Sequence, residues 1–131
     1  MTVKKNFSQL VAAAVVLAAS ALSTPAALAH GGADALHGGV VQTAADLSFE
    51  LVATADGALI YLQDHGKDAD AAGFDGKLTV LQGAEKSEAP LKSAGGNKLE
   101  AKGIALAKGA KAVATLSTSS KKTITVRFTV K

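Results

Sequence analysis

Three histidines, each followed by glycine, are the residues of this chain whose types and spacing best suit metal chemistry. His30 and His37 lie in a short Gly-rich stretch, and His65 directly follows Asp64. Neutral imidazole binds zinc, copper and nickel, and glycine lets the backbone approach a ligand closely. The pattern predicts a metal site formed by His30, His37, Asp64 and His65, in which Asp64 either binds the metal or orients the His65 ring. The ordinary alternative is two solvated tail histidines and one turn histidine.

The remaining composition limits the chemistry available. The chain has no cysteine, and its single methionine is Met1, so sulfur ligands, disulfides and a thiolate nucleophile are excluded from the mature protein. No G-x-S-x-G elbow, phosphate-binding loop or dinucleotide fingerprint is present. We therefore expect a protein that is not an enzyme and that binds copper or zinc through nitrogen and oxygen ligands.

The first 29 residues have the pattern of a cleaved secretory signal peptide. Lys4 and Lys5 precede an apolar run at 10–19, and Ala27-Leu28-Ala29 is an A-x-A cleavage site. A membrane anchor is the alternative, but the apolar run is shorter than the roughly 18–20 residues of a span. We expect export to the periplasm and no membrane span after cleavage.

Cleavage after Ala29 makes His30 the first residue of the mature chain. A free amine and an imidazole on one residue form a chelate for a transition metal. The chain has 14 Lys and Arg residues, two of them in the leader, against 11 Asp and Glu. This near balance does not favour nucleic acid as a partner.

Short alternating segments separated by glycine and small polar residues predict an all-β domain at 40–131, preceded by a flexible Gly/His-rich tail at 30–39. Segments 47–52 and 58–63 should form a hairpin. We expect a single antiparallel Ig-like β-sandwich of about seven strands. Residues 103–108 fit either a short strand or one helical turn.

Polar and apolar residues alternate most clearly in the last segment, Thr123–Lys131. It should direct Ile124, Val126, Phe128 and Val130 to the core.

The distance between the histidines depends on how the first strands pair. In a simple meander, a strand of five or six residues would separate His37 from His65 by roughly 17–20 Å. The stretch from His30 to Gly38 can extend to about 27 Å, so His30 could still reach His65. If the first strand pairs elsewhere, all three histidines meet.

Several segments together resemble a family. These are His37-Gly38-Gly39-Val40-Val41, 47–51, 58–62, Asp64-His65-Gly66-Lys67 and 77–81. They are similar to small secreted bacterial proteins and to N-terminal segments of periplasmic adaptor subunits of heavy-metal RND efflux pumps. The resemblance implies a periplasmic β-domain tied to metal resistance, with an efflux component as a partner and with His37 and His65 as candidate ligands. Because the adaptor's coiled-coil hairpin, lipoyl and barrel parts are lacking, we do not expect a pump adaptor.

Ala29-His30 also resembles the start of small copper-resistance β-sandwich carriers, in which a mature N-terminal histidine binds Cu(II). Two functions follow as hypotheses. The first is a periplasmic carrier or buffer for Cu(II) or Zn(II). The second is an exported module that binds a protein partner through its strand edges or the loop at 68–75.

Overall fold

The structure is a computed structural model that describes residues 34–131. The predicted signal peptide and His30 lie outside the described residues. Nine strands follow in order: β1 (Val40–Ala44), β2 (Leu47–Ala53), β3 (Gly57–Asp64), β4 (Lys67–Asp68), β5 (Asp75–Gln82), β6 (Glu85–Ser93), β7 (Lys98–Lys102), β8 (Lys111–Ser117) and β9 (Thr123–Thr129). Within residues 34–131, no helix has the length and apolar character needed to cross a membrane.

The strands form one antiparallel sheet in the order β1-β2-β3-β7-β6-β5-β8-β9, and the short β4 pairs with β3. The two ends of this order, β1 and β9, lie beside each other, so the sheet curls almost into a closed barrel. The all-β, antiparallel class predicted from the sequence is confirmed. The architecture is a nearly closed sheet of nine strands, whereas the sequence predicted about seven strands in an Ig-like sandwich.

The predicted hairpin is present, and so is the predicted buried face of the last strand, although β9 ends at Thr129 and Val130 beyond it is only half-buried. Strands β2 and β3 pair from Leu47 with Asp64 to Ala53 with Ala58. On β9 the alternate residues Ile124, Val126 and Phe128 are buried, as period-two alternation requires. Inward-facing aliphatic and aromatic side chains of every long strand meet in one core, whose largest fully buried members are Phe49, Ile60, Leu62, Leu78, Leu91, Leu99, Leu116 and Val126.

Strand β6 joins the two halves of the sheet. It pairs with β5 through Leu91 and then with β7 at Lys92 and Ser93. Strand β6 therefore begins as early as Glu85 and has two strand partners along its length. Pro90 lies in the part of β6 that pairs with β5 alone, where its missing N–H removes no bond to β7. Residues 103–108 are neither strand nor helix, although Ile104 from this loop is buried.

Candidate functional site

Residues 36–39, here called the anchored segment, fold back over the outer face of β2. Gly38 has a φ of +72°, which turns the chain just before β1. Gly39 then passes so close to β2 that a Cβ at this position would lie 2.2 Å from the carbonyl oxygen of Leu51. The two glycines of the His37-Gly38-Gly39 motif are thus both required by the backbone path.

The Glu50 carboxylate holds this segment in place. Its Oε1 accepts the backbone N–H of Leu36 at 2.9 Å, and its Oε2 accepts those of His37 and Gly39, both at 2.8 Å. A fourth bond joins Oε1 to the His37 ring at 3.0 Å. Glu50 belongs to the outward-facing side of β2 and is nevertheless only 5% exposed, because the anchored segment covers it.

Two opposing effects set the pKa of Glu50. Burial raises the pKa, but the hydrogen bonds from Gly39, from the His37 ring and from the His37 and Leu36 amides lower it by more. The pKa therefore lies below its ordinary value of 4.5, and the carboxyl group is ionised at neutral pH. An ionised carboxylate can only accept hydrogen bonds, so the bond from His37 is Nδ1–H to Oε1.

Tyr61 fixes the plane of the His37 ring. The two rings are stacked with centroids 3.6 Å apart and an interplanar angle of 5°. Tyr61 lies opposite Glu50 in the register of β2 and β3, so neighbouring strands supply the carboxylate and the aromatic surface. With Nδ1 carrying the proton, neutral His37 has its lone pair on Nε2, and its side chain is 37% exposed.

A small cavity lies beneath His37 on the same outer face. It is lined by Asp34, His37, Val41, Ser48, Glu50, Tyr61 and Gln63. Glu50 and Gln63 are the buried polar residues of the 34–131 region, so this face concentrates the polar interior of the protein. The cavity, of about 10 Å³, has room for no more than a water molecule.

His65 occupies a different environment, at the tip of the β3–β4 hairpin. His65 and Gly66 have φ values of +50° and +80°, the pattern of a two-residue type I′ turn between the paired residues Asp64 and Lys67. The His65 side chain is 84% exposed, and its Nδ1 is hydrogen-bonded to Asp64 Oδ1. Asp64 thus contacts the ring of the residue that follows it, at the exposed end of the hairpin.

The described histidines do not converge on one site. Strands β1, β2 and β3 form the simple meander, and Asp64 lies three residues beyond Tyr61, roughly 10 Å along the strand. Among residues 34–131 no group of three or more His, Asp or Glu side chains is placed to hold a metal ion. His30, the remaining predicted ligand, lies outside the described residues.

Two features of the site were not anticipated from the sequence. A flexible tail was predicted over 30–39, yet residues 36, 37 and 39 donate hydrogen bonds to the sheet. Glu50 and Tyr61 were also missed as functional neighbours of His37. The sequence does place a carboxylate, that of Glu50, between the core positions Phe49 and Leu51. The groups that hydrogen-bond to this carboxylate, however, lie 11 to 14 residues earlier in the chain, so the sequence alone does not connect them.

No protein-family model, curated protein or solved structure matches this chain. The resemblance to efflux adaptor segments therefore stays a prediction.

Proposed function

We propose that this protein is an exported metal-binding protein, a carrier or buffer for Cu(II) or Zn(II) that serves heavy-metal homeostasis or efflux in the periplasm. His37 is the central ligand and binds the metal through Nε2. The location follows from the signal-peptide pattern of residues 1–29 and from the resemblance to efflux adaptor segments.

The observation that supports this proposal most is the hydrogen bond from His37 Nδ1 to Glu50. Metal-binding histidines almost always donate their second ring N–H to a carboxylate or carbonyl, which fixes the tautomer and raises the basicity of the ligand nitrogen. Glu50 does this for His37, and stacking on Tyr61 restricts rotation of the ring. The ordering cost of presenting Nε2 to a metal is thereby already met in the folded protein.

One imidazole does not make a metal site, so further donors are needed. His30 lies seven residues before His37, and its ring and new α-amine supply two nitrogens after cleavage. Together with His37 these give three nitrogen ligands, which suit the tetragonal preference of Cu(II) and also satisfy Zn(II).

His65 and Asp64 do not belong to the proposed His37 site. Their exposed hairpin tip offers one imidazole and one carboxylate, which would form at most a separate and weaker site. Removing His65 should therefore leave the His37 site unchanged.

Calorimetric titration with Cu(II) and Zn(II) tests the proposal on the chain that begins at His30. His37→Ala should weaken binding by about tenfold or more, because the preoriented ligand is lost, whereas His65→Ala serves as the matched control. Equal affinity of His37→Ala and the unaltered protein would refute the role of His37. A loss confined to His65→Ala would move the site to the hairpin tip.

A further inference from the structure

The first part of β6, residues 85–88, lies at an open edge of the sheet. It pairs with β5 on one side, whereas the pairing of β6 with β7 is confined to Lys92 and Ser93. Among the described residues no backbone hydrogen bond outside the ladder with β5 involves 85–88. All four residues are exposed, including Ser87, which belongs to the same face of the strand as the buried Ala89. This end of β6 therefore extends past the rim of the core and is open to solvent.

The hydrogen bonds of β6 show which backbone groups face this open side. The Ala94 N–H donates to the Lys98 carbonyl at the turn between β6 and β7, so Ala94 faces β7. Because alternate residues of a strand direct their N–H and C=O to the same side, Pro90, Glu88 and Lys86 face that side as well. Pro90 has no N–H, and the ladder with β7 ends before it. The N–H and C=O groups of Lys86 and Glu88 are therefore free to bond a further strand.

The charged side chains at this edge complement a second copy of the same edge. On the outer face, the Glu88 carboxylate lies 3.2 Å from Lys86 Nζ and 3.4 Å from Lys77 Nζ. A two-fold axis through Ser87 sets Lys86 of one copy opposite Glu88 of the second copy, and the reverse. Opposite charges on directly paired residues stabilise an antiparallel pair, and like charges destabilise it. Since lysine and proline at an open edge discourage pairing with other strands, the two-fold register is the favoured one.

We propose that the open edge of β6 pairs with the same edge of a second copy of this chain, in an antiparallel dimer with two-fold symmetry. Lys86 exchanges both backbone hydrogen bonds with Glu88 of the second copy, and Ser87 lies opposite Ser87 of the second copy. Pro90 bounds the paired segment, so the interface is small, and interfaces below about 1,200 Å² associate weakly and reversibly. None of residues 85–89 lines the cavity beneath His37, and the dimer does not depend on the proposed metal function.

Disulfide trapping tests the dimer, because the chain has no cysteine of its own. Opposed residues that do not exchange hydrogen bonds have Cα atoms about 4.5 Å apart, which is within the range of a disulfide. Ser87→Cys should therefore give a disulfide-linked dimer under mild oxidation. The matched control is Ser93→Cys, at an exposed serine of the same strand beyond Pro90, which should cross-link at least about tenfold more slowly.

The charges give a second test in the Ser87→Cys background. Lys86→Glu sets like charges opposite each other and should reduce cross-linking by about tenfold. Lys86→Glu combined with Glu88→Lys exchanges the two charges and should restore cross-linking. Thermal melts show whether each variant is folded. In the unaltered protein, which needs no substitution, the amide chemical shifts of Lys86 and Glu88 should change as the protein concentration rises.

Four results would overturn the proposal: equal cross-linking of Ser87→Cys and Ser93→Cys, no loss with Lys86→Glu, no recovery in the charge-exchanged variant, or amide shifts that are independent of concentration or confined to other strands. Species larger than a dimer that grow with concentration would indicate open-ended association through a different surface and would also overturn it.

Discussion

The ring of His37 lies flat on the ring of Tyr61, with centroids 3.6 Å apart and planes 5° from parallel. The two residues come from segments separated by two strands, β1 and β2, and meet because the anchored segment folds back over the sheet. Glu50, which lies opposite Tyr61 in the register of β2 and β3, accepts a hydrogen bond from the His37 ring. The proposed metal site and the attachment of the N-terminal segment therefore depend on the same carboxylate.

Replacement of Glu50 by glutamine should destabilise the protein by about 1.5–3 kcal/mol, the usual range for hydrogen bonds to a charged group. The glutamine amide presents N–H donors to the backbone N–H groups of the anchored segment, so some of the four bonds cannot form. Glu100→Gln, at a 40% exposed side chain paired with Lys102, is the matched control and should change stability by less than about 0.5 kcal/mol. Urea unfolding measures both, and equal midpoints for the two variants would contradict the anchoring role.

Acid should remove the stabilisation that Glu50 provides. Because the folded-state pKa of Glu50 lies below its ordinary value of 4.5, the contribution is complete above that value and is lost as pH falls through the folded-state pKa. The stability difference between the unaltered protein and Glu50→Gln should be constant near neutral pH and should shrink below about pH 4.5. Glu88, whose pKa is lowered by its bonds to Lys86 and Lys77, changes stability in the same direction in both proteins and cancels in this difference.

The corresponding measurement is a series of urea melts of the two proteins between about pH 3 and pH 7. A difference that stays the same across this range would show that ionisation of Glu50 does not stabilise the fold.

Gly39→Ala should detach or distort the anchored segment, because the new Cβ would lie 2.2 Å from the Leu51 carbonyl oxygen, a backbone atom that cannot move aside cheaply. We expect greater amide hydrogen exchange at Leu36, His37 and Gly39 than in the unaltered protein. Gly73→Ala is the control, since its Cβ would come no closer than 3.4 Å to a flexible serine side chain. Unchanged protection in Gly39→Ala would mean that this close approach is not required.

Phe128→Ala should lower the free energy of unfolding by about 3–5 kcal/mol, as for other buried phenylalanines. Phe128 is 3% exposed in the core, whereas Thr125 on the same strand faces solvent, so Thr125→Ala should have little effect. Equal small effects in denaturant melts would remove β9 from the core.

The sequence predicts the parts of this fold that rest on period-two alternation, notably the β2–β3 hairpin and the buried face of β9. It does not reveal the start of β6, because residues 85–88 are all polar and exposed and show no alternation. The two-residue strand β4 is too short to produce any pattern. The near closure of the sheet, in which β1 lies beside β9, is a long-range contact that no local sequence pattern predicts.

The sequence suggests the proposed ligand but not the residues that support it. The residue type and the glycines identify His37, whereas Glu50 reads as an ordinary outward residue of an alternating strand. Its burial depends on a segment 11 to 14 residues earlier that turns back at Gly38. Gly66, in contrast, is explained by its own turn, because both central residues of a type I′ turn need positive φ and glycine adopts it readily.

We propose that the metal is held by His37 together with the N-terminal residue His30, and electron paramagnetic resonance of bound Cu(II) is the decisive test. The chain that begins at His30 should show a tetragonal, nitrogen-rich Cu(II) spectrum, with proton release on binding and an affinity that rises from about pH 5 to 8. One added glycine before His30 and, separately, His37→Ala should each reduce the number of coupled nitrogens and weaken binding. If all three proteins give the same spectrum and affinity, or if none binds Cu(II) more tightly than a free His-Gly-Gly peptide, the claim is contradicted.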